Sequence, residues 1–158
     1  MTRLNKSVQP CLTLCHSGEC ADMQLIVMAA KAGEDQTWLA DATAELAKQT
    51  GARVSVVSVD GLDVEALSPT PRTEFTELAR KAVEAAVARL KEKDVQAEGE
   101  VRSGIVTRGI LLFAEELNAD LIVCGGSTKS EMARRVLGSV PVELISRARR
   151  PVLVLTPP

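Results

Sequence analysis

Four short runs of apolar residues constrain this chain more than anything else in it: Leu25-Ile26-Val27-Met28, the stretch 54–59 with Val54, Val56, Val57 and Val59, Leu121-Ile122-Val123-Cys124, and Val152-Leu153-Val154-Leu155. A strand with one wet face alternates polar and apolar side chains. A strand that is apolar throughout must be covered on both faces. The segments between the runs have helical spacing, so the covers are helices. A fifth segment, residues 96–101, alternates polar and apolar side chains and fits an edge strand with one exposed face. The order strand-helix repeats until a final strand closes the chain. Such alternation with short connections implies a parallel sheet with right-handed crossovers and helices on both sides. The expected fold is a single α/β domain of three layers, α/β/α, around a five-stranded parallel sheet. At 158 residues, the chain has the size of one such domain.

The helices can be read from their spacing and ends. Gly33-Glu34-Asp35 offers turn and N-cap chemistry, Leu39, Ala42 and Leu46 recur at helical steps, and Gly51 sits where a helix C-cap belongs. Residues 61–71 contain two prolines and read as a loop. A long helix over 73–93 carries Phe75, Leu78, Ala79, Ala82, Ala86 and Leu90 on one face, with Glu77 and Lys81 as an i,i+4 pair on the other. Ser103 is expected to cap a helix bearing Val106, Ile110, Phe113, Ala114 and Leu117. A short helix is expected over 139–147.

Composition then removes whole classes of function. There is one histidine, His16, and there are three aromatic side chains, Trp38, Phe75 and Phe113, with no tyrosine. Acid–base catalysis near neutral pH leans on histidine, and base-stacking platforms need several aromatics. The net charge of −2 lacks the cationic excess that phosphate-backbone binding requires. No apolar run approaches the ~18 residues that would span a bilayer, and no apolar segment of signal-peptide type opens the chain. The expectation is a cytoplasmic binding protein with no nucleic-acid or membrane partner.

Cysteine is concentrated near the start, in Cys11-Leu12-Thr13-Leu14-Cys15-His16-Ser17-Gly18-Glu19-Cys20. With His16 these thiols offer a Cys₃His donor set, but their spacing is not that of a metal knuckle and no second pair closes a site. The expectation is no metal here. Residues 1–22 read as a flexible extension with reduced thiols, and residues 23–158 as the domain. Met23 stands directly before the first apolar run, so a start at Met23 also fits. Cys124 reads as a small buried hydrophobe.

Ligands of open parallel sheets bind beyond the carboxyl ends of the strands, where strand order reverses. After the fourth strand the chain reads Gly125-Gly126-Ser127-Thr128-Lys129-Ser130 and, after a further stretch, Gly138-Ser139-Val140. Glycines let backbone N–H groups approach a ligand. The hydroxyls and ammonium of Ser127, Thr128, Lys129 and Ser130 suit phosphate oxygens, and a helix opening at Gly138-Ser139 offers its N-terminus to an anion. The spacing is not that of a Walker A loop. A polar surface loop with an ordinary Ser N-cap fits the same residues.

These residues, with Asp120-Leu121-Ile122-Val123-Cys124-Gly125, Leu137-Gly138-Ser139-Val140 and the terminal Arg150-Pro151-Val152-Leu153-Val154-Leu155, resemble the universal stress protein family over residues 23–158. The resemblance implies a Rossmann-like fold of the adenine nucleotide alpha hydrolase type with strand order 3-2-1-4-5. It also implies ATP or AMP binding through the pattern G-x₂-G-x₉-G-[ST], magnesium only as the companion of nucleotide, and a homodimer formed through the last strand. On that pattern the nucleotide-binding positions are Val59, Gly125, Ser127, Thr128, Lys129, Ser130, Gly138, Ser139 and Val140. Gly125 and Gly138-Ser139 keep the spacing. Thr128 stands where the family has its second glycine, and Glu131 where a further glycine is common. Ala30 or Lys31 stands where nucleotide-binding members carry an aspartate after the first strand, so the ligand is expected to be a small anion held more weakly than in members with the full motif. Lys31 and Lys129 are the cations available to recruit it.

No catalytic residue is assigned. The leading expectation is a homodimer that holds a small anionic ligand and acts in the stress response through partners. Its rivals are a slow nucleotide hydrolase and a ligand-free dimeric interaction module.

Overall fold

The computed structural model describes residues 14–16, 19–61, 71–126 and 140–158. Strands β1 (Leu25–Ala29), β2 (Arg53–Gly61), β3 (Ala97–Gly104), β4 (Leu121–Gly125) and β5 (Val152–Leu155) form one sheet in the order β3-β2-β1-β4-β5. Every pairing in it is parallel. This is the expected 3-2-1-4-5 topology. Helices α1 (Thr37–Thr50), α2 (Arg72–Glu92), α3 (Val106–Glu116) and α4 (Val140–Arg147) follow the first four strands in turn.

The chain leaves β1 toward β2 and β3 in one direction, then crosses back to β4 and β5 in the other. Right-handed crossovers therefore put α1 and α2 on one face, and α3 and α4 on the opposite one. Two separate clusters of buried residues record this. Ile26, Met28, Val54, Val56 and Val123 pack under Leu39, Ala44, Val83 and Leu90. Val27, Val57, Ile122 and Cys124 pack under Ile110, Phe113, Ala114 and Leu144. Alternation along each strand feeds both clusters, which is why the runs carry apolar residues on both faces.

Specific polar groups fix the ends. The Asp120 carboxylate accepts from the N–H groups of Gln24 and Leu25 at 2.8 and 2.9 Å, tying the starts of β1 and β4 together. Gly51 ends α1 in the left-handed region at φ 75° and donates its N–H to Ala47 O, the C-cap its position predicts. Arg89 of α2 makes a two-pronged ion pair with Asp41 of α1, at 2.7 and 3.0 Å. That pair holds the Asp41 carboxyl below its usual range, chiefly through the Arg89 hydrogen bond.

Local details depart from expectation. Ser103 lies inside β3, and α3 begins after Ile105 with no side-chain cap. The buried face of α2 is Ala79, Val83, Ala86 and Leu90, whereas Leu78 is exposed. Glu77 pairs with Arg80 at 2.7 Å rather than with Lys81, because positions three apart are also neighbours on a helix. A short antiparallel ribbon, Leu14–His16 with Glu19–Ala21, precedes the sheet. Among the described residues no helix is long and apolar enough to cross a membrane.

Candidate functional site

The crevice sits where β1 and β4 lie side by side and their following connections diverge to opposite faces of the sheet. β1 pairs with β4 from Ile26↔Leu121 to Ala29↔Cys124. Its last link to β2 is the Ala30 N–H to Val57 O bond, 2.8 Å. Beyond that, β2 runs on to Gly61 with β3 alone at its side. Backbone direction alternates along a strand, so Val59, two residues past Val57, turns its peptide groups toward β1, past that strand's end. The Val59 side chain is buried against α3, where a Cβ at Gly109 would lie only 2.9 Å from Val59 Cγ2. Val59 can therefore meet a ligand through its backbone.

On the other side, β4 ends in Gly125. A Cβ there would come within 3.1 Å of Gln36 Nε2 and 3.3 Å of the Trp38 ring. The missing side chain thus makes room for the start of α1. Gly126 donates its N–H to Leu155 O at 2.6 Å, fastening the beginning of the next connection to the end of β5. Ser127, Thr128, Lys129, Ser130, Gly138 and Ser139 lie outside the described residues. Val140 is the first residue of α4. Of the expected positions, Val59, Gly125 and Val140 are thus described, and all three belong to the carboxyl-terminal ends of strands or the start of the helix that follows β4.

The connection after β1 is held by its own side chains. Gln36 Oε1 accepts the Lys31 N–H at 2.8 Å. Asp35 accepts both the hydroxyl and the N–H of Thr37, at 2.6 and 3.0 Å, and these bonds, the hydroxyl first, lower its pKa. Lys31 ion-pairs with Glu34 at the surface, and Ala30 is buried. No carboxylate occupies the place after β1. What stands next to the end of β4 instead is the Gln36 amide, with the only Trp of the chain beside it. Sequence reading missed Gln36 and Trp38, because their role depends on Gly125, which is distant in sequence.

Two further polar groups lie on the same sheet face as Ala30. Thr76 donates to Asp60 Oδ2 at 2.8 Å. Among the described residues, Asp60 Oδ1 and Ser58 Oγ are buried without a hydrogen-bond partner. An open groove of about 270 Å³ runs between α1 and α2, walled by Ala30, Gly33, Thr37, Ala40, Leu78 and Lys81. Cys124, beneath the crevice, is buried, and desolvation pushes its thiol up to about 11, so it stays protonated.

Fold and crevice together define a doubly wound α/β domain with an open crevice at the strand-order reversal. The sequence pattern of the universal stress protein family matches residues 23–156, and the chain belongs to that family. A universal stress protein of Methanocaldococcus jannaschii is 35% identical over 88 residues, which are 53% of this chain and 52% of that protein. The match thus spans about half of that relative. The stress response protein NhaX of Bacillus subtilis is 22% identical over 152 residues, 96% of this chain and 84% of its own. Among solved structures, a universal stress protein in complex with cAMP superposes with a TM-score of 0.69 at 22% identity, covering 85% of this chain and 98% of that one. The universal stress protein from Archaeoglobus fulgidus in complex with dAMP gives 0.60 at 23% identity, with the same coverage of 85% and 98%.

Proposed function

We propose that this universal stress protein is a cytoplasmic homodimer that holds a small anionic ligand over β1 and β4 and acts in the stress response through partner proteins. The observation that carries the reading is the end of β4 in Gly125, with Gly126 directly after it, at the strand-order reversal, followed across the next connection by the start of α4. In this reading Ser127, Thr128, Lys129, Ser130, Gly138 and Ser139 donate to phosphate oxygens. Val140 opens the helix whose N-terminus faces the anion, and the Val59 backbone meets the base. Lys31 is already paired with Glu34, which leaves Lys129 as the cation for phosphate. Solved relatives hold cAMP and dAMP, which makes adenine nucleotides the first ligands to test, AMP and then ATP with magnesium. Without a carboxylate after β1, affinity falls below that of relatives that have one.

The test is titration calorimetry with AMP and with ATP and magnesium, read in parallel by the fluorescence of Trp38, which stands against Gly125. Saturable binding that is lost in Gly138→Asp supports the reading, since that change puts a carboxylate beside the phosphates. No heat and no fluorescence change at millimolar nucleotide would overturn it in its nucleotide form. One observation favours a second reading, a ligand-free dimeric module: Gln36 and Trp38 already fill the space beside Gly125. That reading expects an unmoved thermal midpoint with every nucleotide. Phosphate released above the Gly138→Asp background would instead mark a slow hydrolase.

A further inference from the structure

Cys11, Cys15 and Cys20 take no part in the reading above, and the sequence alone allows any two of them to pair. The backbone distinguishes one pair. In the antiparallel ribbon, Leu14 stands opposite Ala21, Cys15 opposite Cys20, and His16 opposite Glu19. Directly opposed residues of an antiparallel pair have Cα atoms about 4.5 or 5.5 Å apart, with their Cβ atoms on a common face. A disulfide needs a Cα separation of roughly 4.4 to 6.8 Å. Either kind of opposed pair therefore satisfies the backbone requirement. A slip of one residue would set Cys15 against Glu19 or Ala21 and remove the match. Cys11 lies outside the described residues.

We propose that Cys15 and Cys20 form a redox modification site, closed to an intramolecular disulfide by small disulfide oxidants such as oxidised glutathione. The thiolate of one cysteine attacks the glutathione disulfide, forming a mixed disulfide and releasing one glutathione thiolate. The thiolate of the other cysteine then attacks the protein sulfur of that mixed disulfide and expels the second glutathione. Two protein thiols lose two electrons and two protons, and one glutathione disulfide becomes two glutathiones. The closed ring encloses only residues 16–19, so the modification staples the ribbon and leaves the sheet domain as it is. Cys124 is the internal contrast: buried, with its thiol raised to about 11, it lacks the thiolate such exchange requires.

The test equilibrates the full chain in glutathione buffers from reducing to oxidising, quenches it by alkylation, and maps the peptides by mass spectrometry. The expected result is a fall from four alkylatable cysteines to two, with Cys15 linked to Cys20 and with Cys11 and Cys124 alkylated after denaturation. Cys11→Ser should leave the transition in place, and Cys15→Ser or Cys20→Ser should abolish the intramolecular link. Comparable amounts of the three possible pairings would mean that the ribbon register does not select the pair, and would overturn the proposal. Four free thiols across the whole series, or covalent dimers as the main product, would overturn it as well.

Discussion

Strand β3 closes one edge of the sheet with Glu98, Glu100 and Arg102, while β5 closes the other with Val152, Leu153, Val154 and Leu155. On β3 the charges are tied down. Arg102 lies 5.2 Å from the centre of the Phe113 ring and reaches Glu116 at 2.7 Å and Glu100 at 2.5 Å. Ser55 of the next strand donates to Glu98 at 3.1 Å. Charge along an edge discourages a second strand from adding to it. On β5 no residue is charged and all four are half-buried, Leu153 and Leu155 against one core, Val152 and Val154 against the other. One edge is blunted and the other is open to pairing. The proposed homodimer belongs to the second, where a twofold axis would join two copies of β5.

The largest effect is expected at Gly99, in the blunted strand. A Cβ there would sit 2.4 Å from Val83 Cγ1 and 2.9 Å from Val87 Cγ2 of α2. Gly99→Ala should destabilise the fold by about 1–3 kcal/mol, the usual range for overpacking, seen as a lower urea midpoint. Adding Val83→Ala should restore part of it, and purely additive losses would show that α2 does not meet β3 as described. Next, Val154→Lys on the open edge should convert the proposed dimer to a folded monomer, checked by light scattering together with circular dichroism. A charge placed there without change in molecular mass would remove β5 from the interface. Arg102→Ala should cost about 1 kcal/mol from the lost ring and carboxylate contacts, and should leave β5 pairing untouched.

The smallest effect lies away from both edges. Asp41 titrates below its ordinary range because Arg89 bonds its ionised form, so the contribution is present above that range and lost as pH falls through the lowered value. Asp41→Asn should therefore lower the urea midpoint slightly at neutral pH and leave it unchanged in acid, which flattens the acid limb of stability. An unchanged acid limb, followed by urea titration at successive pH values, would show that the pair carries no linkage.

The sheet was legible because its signal is local: four runs too apolar for one wet face, plus one alternating segment, fix strand number and cover. Element ends were legible where a single residue decides them, as at Gly51. They were misread at Ser103, whose side chain suits a cap but whose backbone extends β3 by pairing Asp60↔Ser103 with β2. Leu78 fell outside the buried face because α2 presents Val83 to Gly99 instead, a fit between residues far apart in sequence. The site followed the same division. Gly125 and the start of α4 could be read from spacing, whereas Gln36 and Trp38 acquire meaning only through the strand they face.

The bond from Asp120 to the start of β1 spans 95 residues of chain, and this has a consequence in time. As the polypeptide emerges during synthesis, β1 finds β2 early, but its other side waits for β4. Until residue 125 is available, the sheet is a three-stranded half with an unsatisfied apolar strand at its border, the kind of species that is slow to complete and prone to capture by other chains. The centre of the finished sheet is therefore its most vulnerable border while the protein is being made.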